Sequence, residues 1–151
     1  MPLKYLGYTI AFQEVPDEVS LVISVSGCPF HCNGCHSEYL REYVGAQLSN
    51  DFSYLLEDYA DYVTCICFMG GDQNPSELKQ LCAEAKQRGL KTALYSGNDH
   101  CPKYSFLDYV KIGHYDAKMG GLSCRQTNQH FYKKKNGEWK DITYKFWRDK
   151  K

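Results

Sequence analysis

The chain has 151 residues, 43% hydrophobic and 24% charged, an ordinary globular composition with enough length to bury a core. Eighteen basic and eighteen acidic side chains cancel, so nothing global points to nucleic acid or an anionic membrane, and neither is expected as a partner. No apolar run approaches the roughly 20 residues that cross a bilayer, and the opening MPLKYLGYTIAF lacks the apolar segment and small-residue cleavage site of a signal peptide, so a cytoplasmic location is expected.

The first predicted element is the run VSLVISV (19–25), β-branched, short and nearly continuous, the pattern of a strand buried on both faces of a parallel sheet. A cysteine cluster follows it at a Gly27 turn. DFSYLLEDYADY (51–62) has Phe52, Leu55, Leu56 and Tyr59 at helical spacing, and VTCICFM (63–69) reads as a second strand ending in Gly70-Gly71-Asp72. The next helix is well marked, with Asn74 as N-cap, Pro75 at its first position, Glu77 in its first turn and Gly89 as its left-handed stop. LKTALYS (90–96) and LDYVKIG (107–113) read as a third and a fourth strand. In the tail, Asn136-Gly137 between alternating segments predicts a hairpin over about 127–147. Lys133, Lys134, Lys135, Lys150 and Lys151 read as its solvated rim.

Alternating strands and helices imply an α/β fold with a parallel sheet and right-handed crossovers. Ligands of such sheets bind at the carboxyl ends of the strands. The cysteine cluster, Gly70-Gly71-Asp72, Ser96-Gly97-Asn98 and Gly113-His114-Tyr115 each follow a strand, so all four are expected on one edge.

The chemistry lies in SGCPFHCNGCHS (26–37), where Cys28, Cys32 and Cys35 are spaced Cys-x-x-x-Cys-x-x-Cys. Without a signal peptide, clustered cysteines point to metal or redox work rather than to a disulfide scaffold. Structural zinc needs four closed ligands; no second Cys-x-x-Cys knuckle is present, although His31 or His36 is available as a fourth ligand. Disulfides leave an odd thiol. A four-iron cluster suits the spacing better, with three thiolates each holding one iron and the fourth iron open to a substrate.

This loop, placed after the first strand, resembles the signature of the radical S-adenosylmethionine (radical SAM) family, and Met69-Gly70-Gly71-Asp72 resembles that family's motif for the cofactor's amino group. SGC-x-x-x-C-x-GC, GGD, YSG, DYVKIGHYD and TNQHFY (127–132) narrow the resemblance to the activating proteins of anaerobic ribonucleotide reductase. It covers nearly the whole chain. Two departures stand out: FQEVPDEVS replaces a glycine- and proline-rich stretch, and His36 stands where an aromatic is common.

The resemblance implies a single radical SAM domain over 1–151, a partial, half TIM-like barrel with its core at about 19–115 and the small C-terminal hairpin beside it. It implies a 4Fe-4S cluster on Cys28, Cys32 and Cys35, which are then the catalytic residues, and S-adenosylmethionine bordered by Gly34, Cys35, His36, Gly70, Gly71 and Asp72, with Ser96 and Asn98 near its ribose or carboxylate. The implied enzyme is an oxidoreductase that reductively cleaves S-adenosylmethionine to a 5′-deoxyadenosyl radical, which takes hydrogen from a glycine of the large reductase subunit. An electron donor such as a flavodoxin is implied. Another radical SAM activase, a peptide-modifying maturase and a non-catalytic zinc-binding module are the alternatives. Cys65, Cys67 and Cys82 read as buried core; Cys101 and Cys124 lack a close cysteine partner, and His114 is noted only for its place at the predicted edge.

Overall fold

A computed structural model describes residues 2–27, 42–99 and 104–147. Strands β1 (Lys4–Ala11), β2 (Ser20–Val25) and β3 (Ala46–Gln47) precede helix α1 (Leu48–Tyr59); β4 (Cys65–Met69), α2 (Pro75–Gln87), β5 (Lys91–Tyr95) and β6 (Tyr109–Ile112) follow, and β7 (His130–Lys135) and β8 (Glu138–Asp141) end the sheet before a short 3-10 turn at Thr143–Phe146. Among the described residues the order across the sheet is β3-β1-β2-β4-β5-β6-β7-β8. β2, β4, β5 and β6 are mutually parallel, and the flanking strands pair antiparallel.

Strand alternation sorts the core onto two faces. Leu21, Ile23, Ile66, Phe68, Leu94 and Val110 pack with Phe52, Leu55 and Leu56 of α1 and Leu78, Leu81 and Cys82 of α2, so both helices cover one face. The other face carries Val22, Cys65, Cys67, Ala93, Tyr109 and Phe131, closed by Val15 and Ile142. The four parallel strands stay in step, with Ser24 opposite Met69, Met69 opposite Tyr95, and Tyr95 opposite Lys111, so their carboxyl ends lie level.

Local signals set several boundaries. Asn74 Oδ1 accepts the Glu77 N–H at 3.2 Å. Gly89, at φ 78°, closes α2 with the Gly89 N–H on Lys86 O and the Leu90 N–H on Ala85 O, the paired bonds of a Schellman stop. Asn136 and Gly137 both have positive φ, as the two-residue β7–β8 turn requires. Elsewhere tertiary bonds prevail. α1 begins at Leu48, three residues before the predicted start, and its N-cap Gln47 makes no side-chain cap bond. The Leu48 N–H is instead held by Leu3 O at 2.9 Å, just before β1. β1 and β3 themselves are strands that the hydrophobic pattern did not reveal. Among the described residues no helix is long and apolar enough to cross a membrane.

Candidate metal centre

Of the four turns predicted to converge, those after β4, β5 and β6 lie in the described residues, at the level carboxyl ends of the parallel strands; the cysteine cluster after β2 lies outside them. After β2, the Ser26 N–H donates to Lys4 O at 2.8 Å and the Gly27 N–H to Glu42 O at 3.1 Å. Gly27 and Glu42 flank the segment that carries Cys28, Cys32 and Cys35, so the chain leaves and re-enters the described structure at this edge. The three cysteines, Gly34 and His36 lie outside the described residues, as do His31, His100 and Cys101.

Beside that point, β4 ends in Gly70 and Gly71, at φ 104° and 126°. A side chain at Gly70 would put its Cβ 3.2 Å from Val25 O, so glycine is what lets the ends of β2 and β4 lie this close. Gln73 spans the same two ends, its Nε2 donating to Ser26 O at 2.7 Å. Asp72 accepts a hydrogen bond from Ser96 Oγ at 2.7 Å, and the same Oγ accepts the Asn98 N–H at 3.0 Å. Burial raises the Asp72 carboxyl above its ordinary value; the bond from Ser96, one from the Asp72 backbone and the Lys111 charge offset part of the rise. Gly70, Gly71, Asp72, Ser96 and Asn98 are therefore brought to one edge.

Two contributors were not found by sequence reasoning. Lys111 is 9% exposed, and its ammonium donates to Ser96 O at 3.1 Å and Gly113 O at 2.7 Å, tying the ends of β5 and β6 together. A charged residue inside the strand LDYVKIG was the only signal. The second is the segment before β7. Asn128 donates from Nδ2 to His114 O at 3.0 Å, while its Oδ1 is buried without a hydrogen-bond partner among the described residues. Gln129 Nε2 reaches Gly113 O at 3.4 Å. His114 lies on this edge with its Nδ1 2.8 Å from Asp99 Oδ1.

Three of the remaining described cysteines are chemically quiet. Cys65, Cys67 and Cys82 are fully buried, and desolvation pushes all three thiols up, Cys82 to about 12, which keeps them protonated at neutral pH. Cys124 is a free, half-buried thiol packed against Gly120.

Searches of curated proteins and of solved structures returned no match. A family model described as a 4Fe-4S single cluster domain matches residues 18–103, more than half of the chain, including β2, the cysteine triplet, Gly70-Gly71-Asp72 and Ser96-Gly97-Asn98. The chain belongs to this family of 4Fe-4S single cluster domains, and is thus an iron–sulfur, metal-binding protein.

Proposed function

We propose that the chain is a radical SAM activating protein of anaerobic ribonucleotide reductase, with Cys28, Cys32 and Cys35 holding the 4Fe-4S cluster. The observation that carries the reading is a juxtaposition: the triplet lies within the matched iron–sulfur region, directly after β2, and the adjacent parallel strand ends in Gly70-Gly71-Asp72. The donor set fits, because three thiolates satisfy three irons of a four-iron cluster and leave one for an exchangeable ligand. The glycine pair fits as well, since main chain without side chains can approach a bound molecule closely.

Cys28, Cys32 and Cys35 would hold the cluster, which when bound would supply the electron for reductive cleavage of S-adenosylmethionine and so the radical chemistry that removes a hydrogen atom from a glycine of the large reductase subunit. The chain's own residues bind and orient. Asp72 offers a carboxylate to the methionine ammonium, and Ser96 holds that carboxylate in place. Lys111 brings a positive charge to the same edge, complementary to the methionine carboxylate. Asn98, Gly34 and His36 border the rest of the cofactor. In this reading the parallel strands are the half-barrel of a single radical SAM domain: both helices lie on one face, and the other, with Val22, Cys65, Cys67, Ala93, Tyr109 and Phe131, is the inner wall. An electron donor such as a flavodoxin supplies the reductant.

Anaerobically purified protein is expected to carry iron and sulfide, and to release 5′-deoxyadenosine from S-adenosylmethionine under reduction. With the large reductase subunit present, a glycyl radical doublet should appear by electron paramagnetic resonance. Iron–sulfur protein that never cleaves the cofactor would refute the radical SAM reading, and cleavage without the doublet would refute the partner.

A further inference from the structure

The residues on either side of the cysteine-bearing segment are tied to each other. Ser26 is fully buried although its side chain is polar. Its hydroxyl donates to Val44 O at 2.5 Å and accepts the Val44 N–H at 3.2 Å, so one side chain satisfies both main-chain groups of a residue 18 positions later. The main chain of Ser26 is used as well, its N–H on Lys4 O and its carbonyl accepting from Gln73 Nε2. One residue further on, the Gly27 N–H donates to Glu42 O. Gly27 has φ 79°, and a Cβ there would come 3.1 Å from the Tyr43 ring, so glycine is what allows the two sides to touch. Tyr43 is itself pinned: its hydroxyl donates to Pro2 O, and the Lys4 ammonium lies 4.5 Å from its ring centre. Three hydrogen bonds therefore join the chain just before residues 28–41 to the chain just after them, and two of the three meet on the Ser26 hydroxyl. The Val44 side chain is 41% exposed, so this contact buries little apolar surface; what it fixes is the main chain.

We infer that Ser26 is a positioning residue for the iron–sulfur cluster: with Gly27 and Glu42 it makes a neck, closed before any metal arrives, that holds the two ends of the cysteine segment together. Cys28, Cys32 and Cys35 have to be gathered around one cluster, and fixing a chain costs roughly 1–2 kcal/mol per residue in conformational entropy. With both ends already held, part of that cost falls on folding rather than on metal binding, so the metal is retained more tightly. A buried hydroxyl suits this task because it is both donor and acceptor and can close on the N–H and the C=O of one residue at once. The neck also places the segment relative to the next strand. Gln73 directly follows Gly70-Gly71-Asp72, and its amide grips Ser26 O, so the acid turn and the start of the cysteine segment share one frame. Ser26 acts through the chain that carries the thiolates, not by touching the metal. The inference needs only the iron–sulfur cluster of this family and not the radical chemistry, so cofactor cleavage and cluster retention are separate outcomes.

Amide exchange and a chelator challenge, both on air-free full-length protein, test this. The Gly27 and Val44 amides are expected to exchange slowly in cluster-loaded wild type and equally slowly after the cluster has been stripped, because the neck does not need the metal to close. In excess ethylenediaminetetraacetate without denaturant, Ser26→Ala should lose the visible absorbance and the sulfide of its cluster about tenfold faster than wild type, the weight of one to two hydrogen bonds. Glu18→Gln is the control for a merely structural effect: it disturbs the buried bonds to Tyr109 and Thr64 at the opposite end of the strands, and should lower the urea midpoint while leaving the rate of cluster loss at the wild-type value. Cluster loss from Ser26→Ala no faster than from Glu18→Gln overturns the inference. So does slow exchange at Gly27 and Val44 that is present with the cluster and absent without it, since the neck would then be a product of metal binding. If Ser26→Ala fails to fold, the exchange measurement on wild type alone decides.

Discussion

Glu18 and Asp72 are both shielded carboxylates, and their surroundings move them in opposite directions. Burial raises the Glu18 carboxyl, but hydrogen bonds from Tyr109 Oη at 2.6 Å, Thr64 Oγ1 at 2.7 Å and Lys91 Nζ at 3.0 Å outweigh it, so its net shift is downward. A carboxylate lowered by folding stabilises the fold fully above its unfolded value and loses that contribution as pH falls through the lowered folded value. Glu18→Gln should therefore destabilise by about 1–3 kcal/mol in urea titrations at neutral pH, with a smaller difference from wild type in acid. Most of this loss belongs to the buried tyrosine and threonine bonds, since the Lys91 side chain is half exposed and its ion pair is screened. Asp72 is shifted upward, with burial the largest cause. Its folded form holds the proton more tightly than the unfolded chain, so its contribution is greatest below the ordinary carboxylate range and is withdrawn as pH rises through the raised value. Asp72→Asn is expected to leave neutral-pH stability unchanged or raise it. In calorimetric titrations the same change should weaken S-adenosylmethionine binding about tenfold or more, and remove the increase in affinity that wild type gains as Asp72 ionises. The two outcomes together would mark Asp72 as a residue retained for its ligand rather than for the fold.

At the scale of elements, sequence signals held where a local bond makes the boundary. The Asn74 cap, the Gly89 stop and the Asn136-Gly137 turn were legible because each needs only neighbouring atoms. The start of α1 was not legible, because Leu3 rather than a capping side chain holds Leu48. β1 has Leu6, Tyr8 and Ile10 at the period of a strand, half-exposed at the sheet edge, and a reading that looked for continuous buried runs passed over it. Contact between elements also gives Gly113 a role that its place at a strand end did not foretell. At φ 104° it takes a conformation that side chains disfavour, and an added Cβ would come within 3.0 Å of both Asn128 O and Gln129 Cα. Gly113→Ala should cost about 1–3 kcal/mol and displace the 127–129 segment from the site edge, read as a lower urea midpoint and faster amide exchange at Gln129.

For the whole molecule, the described residues by themselves assemble an apolar core on each face of the sheet. Cys32→Ala should accordingly abolish bound sulfide and the visible absorbance of the cluster while leaving cooperative urea unfolding in place, with a midpoint close to that of chelator-treated wild type. Complete unfolding of the variant would mean that the metal is a structural support, as in a zinc module.

Residue identity and spacing by themselves pointed to iron–sulfur chemistry, and determined the run of parallel strands with a turn after each, because these follow from local bonding capacity and side-chain period. Only the tertiary structure decided that Lys111 and Asn128 join the same edge, that Glu18 clamps the opposite one, and that β1 leaves an apolar flank uncovered. Those outcomes depend on which strands become neighbours and in what register, and neighbours far apart along the chain are chosen by packing that no short stretch of sequence encodes.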